Sequence, residues 1–189
     1  MMAQERKDYS GPLDPDLRFE SFSKEALVNL LREYQRLYLV LDGHWYTHIK
    51  AKYGAQEAFD FDMKVWESME TYEPKRVARA LNIQGDDLEA YLKILQTIPA
   101  FPGLIYDRTI EMIDKHHARI IVNRCTSLEY FEREGIGREK TICHLMEPQA
   151  FQWTASAVNP KIKVTPLKLP PRKSKDEVPH CLWDVRWED

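Results

Sequence analysis

An apolar stripe of helical period runs without a break from Ser23 to Tyr53, and nothing after residue 98 repeats it. Leu27, Leu30, Leu31, Tyr34, Leu37, Tyr38, Leu41, His44, Trp45, His48 and Ile49 recur at steps of three and four, which is the spacing of one helix face. With Ser23 as N-cap and Gly54 as stop, the pattern predicts one long amphipathic helix packed on the core. Three more helices are expected: Gln56–Met69, burying Phe59, Met63 and Trp66; Pro74–Leu81, with proline in its first turn; and Asp86–Thr97. The period changes across Pro99–Gly103. Alternating β-branched residues then predict strands at Ile105–Asp114 and Ala118–Cys125, joined by the turn Asp114–His117. Helices follow at Ser127–Glu134 and Glu147–Val158. Two more strands, Lys161–Leu167 and His180–Trp187, flank the proline-rich loop Pro170–Pro179. Helices first and strands later imply an α+β fold, an N-terminal helical layer packed on a C-terminal antiparallel sheet with two inserted helices. The expected organisation is a flexible arm over 1–21, a helical subdomain over 22–98 and an α+β subdomain over 99–189, forming one compact unit.

Composition narrows the function classes. A chain of 189 residues, 43% hydrophobic and 30% charged, can bury a core of its own. No window approaches the ~18 consecutive apolar residues of a membrane span, and the first residues lack a charged-then-apolar leader, so a cytoplasmic protein with no membrane partner is expected. A net charge of −3 gives no drive towards nucleic acid. The basic cluster from Lys161 to Lys175 is interrupted by prolines and reads as a solvated loop. Three cysteines, an odd number, suggest free thiols in a reducing compartment.

All three thiols fall in the C-terminal third, so one cysteine-lined site is expected. Strand alternation puts Cys181, Trp183, Val185 and Trp187 on one face, and Cys125 on the face of Ile121 and Asn123. Cys143 lies beside His144 and ahead of the helix expected at Glu147, where the helix dipole would favour a thiolate. Cys143, Glu147 and His144 are therefore the catalytic candidates, Cys143 as nucleophile. Two metal sets are open, with zinc as the expected ion. One is His44 and His48, a helical turn apart, with oxygen from Asp42, Glu57 or Asp62; the other is Cys125, Cys143 and Cys181 with one histidine or glutamate. Tyr38, Trp45, Trp153 and Trp183 are candidates for stacking a planar ligand. Each has a plainer reading, as buried cysteine acting as a small hydrophobe, hydrogen-bonded histidine at the core edge, or aromatic core.

The stretch from Arg124 to Trp183 resembles a known family: Arg124-Cys125, Glu134-Gly135-Ile136, Ile142-Cys143, Asn159-Pro160-Lys161-Ile162, Pro170-Pro171 and Cys181-x-Trp183. The family is an uncharacterised group of bacterial and archaeal cytosolic proteins, the domain of unknown function 6125. Leu41-Asp42-Gly43-His44-Trp45 and the segment from Ala58 to Glu67 resemble its helical half. That family is similar, more distantly, to hydrolases of 2-amino-thiazoline-4-carboxylic acid and to vinyl-reductase-type small-molecule-binding domains. Its pattern has two further cysteines where this chain has Pro166 and Leu169, which leaves a four-thiolate metal site without its ligands. Three classes of function remain. The first is a thiol- or zinc-dependent hydrolase of small carbon–nitrogen or carbon–sulfur compounds. The second is a non-catalytic small-ligand-binding or sensor domain, and the third a homodimer built on the Ser23–Tyr53 helix.

Overall fold

The structure is a computed structural model that describes residues 5–101 and 106–188. The breaker residues Pro102 and Gly103 and the expected strand start at Ile105 lie outside the described residues. Helix α1 spans Lys24–Tyr53, with the Ser23 hydroxyl accepting the Ala26 N–H at 3.2 Å as its cap. Gly54, at φ +98°, turns the chain straight into α2, Ala55–Leu81. The two helices expected over 56–81 are thus one, with Pro74 inside it rather than at a first turn. Proline removes one ladder hydrogen bond there, and Pro74 is fully buried, so packing holds the helix across the gap. Helix α3, Leu88–Leu95, starts at Asp87, whose carboxylate accepts the Ala90 N–H at 2.8 Å.

Strands β1 (Tyr106–Asp114) and β2 (His117–Cys125) form the expected hairpin. Helix α4 (Thr126–Glu134) and the short α5 (Arg138–Thr141) follow. A π-helical segment, Ile142–Met146, carries α5 directly into α6, Glu147–Val158. Strands β3 (Ile162–Lys168) and β4 (Cys181–Trp187) complete a four-stranded antiparallel sheet in the order β1-β2-β4-β3. The protein is α+β.

The helical layer meets the sheet through α3 and through the inserted α6. Helix α6, an insertion between strands, lies on β3; α2 packs on α6, and α1 lies outermost on α2. One core joins Leu88, Tyr91 and Leu95 of α3, Phe151 and Ala155 of α6, and Ile120, Val122, Ile162, Trp183 and Val185 of the sheet. A smaller cluster, Phe131, Ile142 and Met146, seats α4 and the π segment against Phe59, Met63 and Trp66 of α2. The free edge of β3 is covered by Gln152 of α6, which donates to the Ile162 carbonyl and accepts the Val164 N–H, both at 3.0 Å. Its amide stands where the next strand would be.

One expectation about α1 changes. Not one residue of α1 is fully buried, and His44, Trp45 and His48 face solvent. Of the large elements, α2 covers α1 from one side, so the stripe that reads as core is left half open. An Arg6–Phe22 bridge, the Ser23 N–H on the Arg6 carbonyl at 2.7 Å and an Arg6–Asp14 ion pair of 2.6 Å bring the chain from Arg6 back to the N-cap of α1. No helix among the described residues is long and apolar enough to cross a membrane.

Candidate functional site

Strand register brings the three thiols together, by a route the alternation rule does not give. Pairing along the hairpin runs Arg108 opposite Val122 and then Asp107 opposite Arg124, so Asn123 is an extra residue, a β-bulge in β2. In a regular strand Cys125 would share the outer face of Ile121 and Asn123. The bulge turns it inwards instead, and it is buried with Val122 and Ile120. Cys181 sits opposite Val122 on β4. The π segment of the α5–α6 helix then delivers Cys143 to the same hollow, an interruption of the kind that often re-aims a side chain at functional sites. Cys125, Cys143, Cys181, Tyr106, Glu147 and His180 line one small cavity of about 30 Å³.

The thiols are held as neutral groups. Cys125 caps α4, its sulfur accepting the Leu128 N–H at 3.4 Å, and Cys181 accepts the Trp183 indole N–H at 3.2 Å. Burial pushes both thiols up to about 12, and burial followed by the nearby Glu147 pushes Cys143 higher still. The expected activation of Cys143 fails on geometry. It lies inside a continuous helix rather than ahead of that helix's N-terminus, so it gains nothing from the dipole end expected at Glu147, and the His144 imidazole bonds the Pro170 carbonyl. His180, unmarked by any motif, is the histidine at the thiols: its Nδ1 accepts the Cys125 N–H at 3.0 Å. Arg172 lies 3.0 Å from its other ring nitrogen and is itself paired with Glu132.

Next to the thiol cavity is a larger one of about 140 Å³, and both are lined by Tyr106, Ser127, Phe131, Glu147 and Phe151. Its polar wall is acidic: Asp42 from α1, Asp62 and Glu70 from α2, and Glu147 from α6, against the guanidinium of Arg138. Asp42 and Asp62 are hydrogen-bonded to each other, and both interact with Trp66; burial and mutual repulsion raise Asp62. Glu70 takes the Thr154 hydroxyl, and burial lifts it to about 8. Glu147 is bonded to Tyr106 and lifted to about 7, also by burial. It is enclosed by protein yet keeps accessible surface, because that surface faces the cavity. Arg138 lies over the Tyr46 and Phe131 rings at 4.5 and 4.9 Å, with its Nε buried and unpartnered.

The remaining candidates do not gather here. Tyr38 and Trp45 edge a groove between α1 and α2, and Trp183 lines the thiol cavity, whereas Trp153 lines neither. His44 and His48 point away from Asp42, because residues two and six apart on a helix lie on different faces. Among the described residues, no three of histidine, cysteine, aspartate and glutamate are placed to hold one metal ion. Neither expected zinc set is assembled. Tyr106, Glu70 and Arg138 belong to no pattern in the sequence, and His180 stands out there only as the chain neighbour of Cys181.

An α+β scaffold enclosing a two-lobed cavity, carboxyl groups in one lobe and thiols in the other, is the class that fold and site define. The chain belongs to a family of unknown function, DUF6125, whose model matches residues 20–186. That is the family its late-cysteine pattern resembles. No curated protein and no solved structure matches the chain.

Proposed function

We propose that this protein binds a small organic cation, about the size of a single ring, with its charged end in the carboxyl lobe and its flat body towards the thiols. The observation that carries this reading is the charge imbalance of the larger cavity: four carboxyl groups face one guanidinium, inside walls of Phe101, Phe131 and Phe151. Burial, and not a paired cation, is the main influence on Asp62, Glu70 and Glu147, so protons stand in for missing positive charge. An amine or amidine would replace those protons with charge-assisted hydrogen bonds. A volume of about 140 Å³ suits one ring, since an apolar cavity of ~150 Å³ takes benzene. Isothermal titration and thermal shift with benzamidine, benzyl alcohol and benzoate at pH 6 and pH 8 test it. Benzamidine alone should stabilise the protein, more so at pH 8, with protons released; equal effects from benzoate or benzyl alcohol refute the reading.

A second reading is favoured by Glu147, which stands where the lobes meet. A carboxyl group near 7 that faces a cavity and is bonded to a tyrosine is suited to general acid–base chemistry. Hydrolysis of a small carbon–nitrogen or carbon–sulfur compound would then run through Glu147, with the neutral thiols as wall. In that case Glu147→Gln abolishes turnover of such compounds and Cys143→Ser retains it. The opposite outcome would restore the thiol nucleophile.

A further inference from the structure

The stripe of α1 that the core leaves open has the period of a coiled-coil seam. Leu27, Leu30, Tyr34, Leu37 and Leu41 follow one another at steps of 3, 4, 3 and 4, and His44 and His48 continue the same series. Tyr34, Leu37 and Leu41 are 50, 56 and 59% exposed. On α2, Ala58, Phe61, Val65, Ser68 and Tyr72 repeat the 3-4 spacing, and Phe61, Val65 and Tyr72 are again half open to solvent. Leu41 and Trp45 on one side and Phe61 and Val65 on the other border a single groove of about 550 Å³. The hairpin therefore presents two parallel apolar ridges with a furrow between them, which is one half of a four-helix bundle.

We propose that a second copy of this chain covers this face, the two α1–α2 hairpins packing into an intermolecular four-helix bundle. Area argues for it. Seven large apolar side chains on the two ridges, Tyr34, Leu37, Leu41, Trp45, Phe61, Val65 and Tyr72, are 50–65% exposed, and at ~150–250 Å² for each whole aromatic the uncovered face amounts to on the order of 700–800 Å². Single-chain proteins rarely show an apolar patch beyond ~300–600 Å², whereas a stable interface takes ~800 Å² from each partner. Shape argues for a like partner, because one hairpin supplies both ridge and furrow, as a two-fold interface requires. Polar residues at His44, His48 and Ser68 interrupt the seams, the usual means of setting register in such bundles. The groove is also lined by Asp42 and Asp62, which wall the inner cavity as well, so the second copy would close that wall from outside.

This interface does not depend on what the cavity binds, and it has its own test. Sedimentation of the full chain at micromolar concentration should give twice the 22.3 kDa chain mass. The double variant Leu37→Glu/Leu41→Glu should run as a monomer with unchanged helical circular dichroism. Phe61→Glu/Val65→Glu, on the other ridge, should do the same and decides the matter if the first variant loses helix. A monomeric wild-type chain, or charge-substituted ridges that leave a folded dimer intact, overturns the proposal.

Discussion

At the scale of single residues, the cavity is governed by what burial does to acids. Glu70 is raised from 4.5 to about 8, so above that pH the folded chain carries a buried carboxylate it would sooner protonate. Glu70→Gln keeps a group that can accept the Thr154 hydroxyl and removes the charge. It should raise stability at pH 8.5 by on the order of 2 kcal/mol and change little at pH 4, as read by chemical denaturation. The thiols answer to the same cause. With Cys125 and Cys181 near 12 and Cys143 higher, iodoacetamide should label the native protein at neutral pH at least ~10-fold more slowly than the unfolded chain, as followed by intact mass. One fast-labelling thiol would contradict both the burial and the neutral state of this lobe.

At the scale of elements, two local devices set the site: the Asn123 bulge that turns Cys125 inwards, and the π segment that seats Cys143. Neither was legible in the residues. The alternation rule assigns faces only while pairing is regular, and one extra residue inverts every face beyond it. A π turn likewise shifts the helix phase without a residue type of its own. The hairpin turn, the N-cap at Ser23 and the strand faces of Cys181, Trp183 and Val185 were legible, because each depends on neighbours along the chain. Gln152 is the element-scale contact open to test. Gln152→Ala uncovers the backbone groups of β3 at Ile162 and Val164 and should cost about 1–2 kcal/mol in urea unfolding, whereas Gln149→Ala, on the exposed side of α6, should cost little.

At the scale of the whole molecule, the raised carboxyls make stability depend on pH in a definite direction. Folded pKa values of about 7 for Glu147 and about 8 for Glu70 exceed the ordinary 4.5, so the native state holds protons that the unfolded state releases. Their stabilising contribution is complete below pH 4.5 and is lost as pH rises through 7 to 8. The melting temperature of the ligand-free protein should therefore fall from pH 5.5 to pH 8.5, and Glu70→Gln/Glu147→Gln should flatten that fall. The α+β class and most element types followed from the residues alone, since period and capping are properties of adjacent positions, whereas the meeting of the three late cysteines needed the bulge and the π segment. Which helix lies on the sheet, which apolar stripe stays open on α1, and which acids share a cavity with the thiols were decided only by the tertiary structure. Asp42, Glu70, Tyr106 and Glu147 come from four separate elements, and a charge buried by distant segments leaves no mark on its own neighbours in sequence.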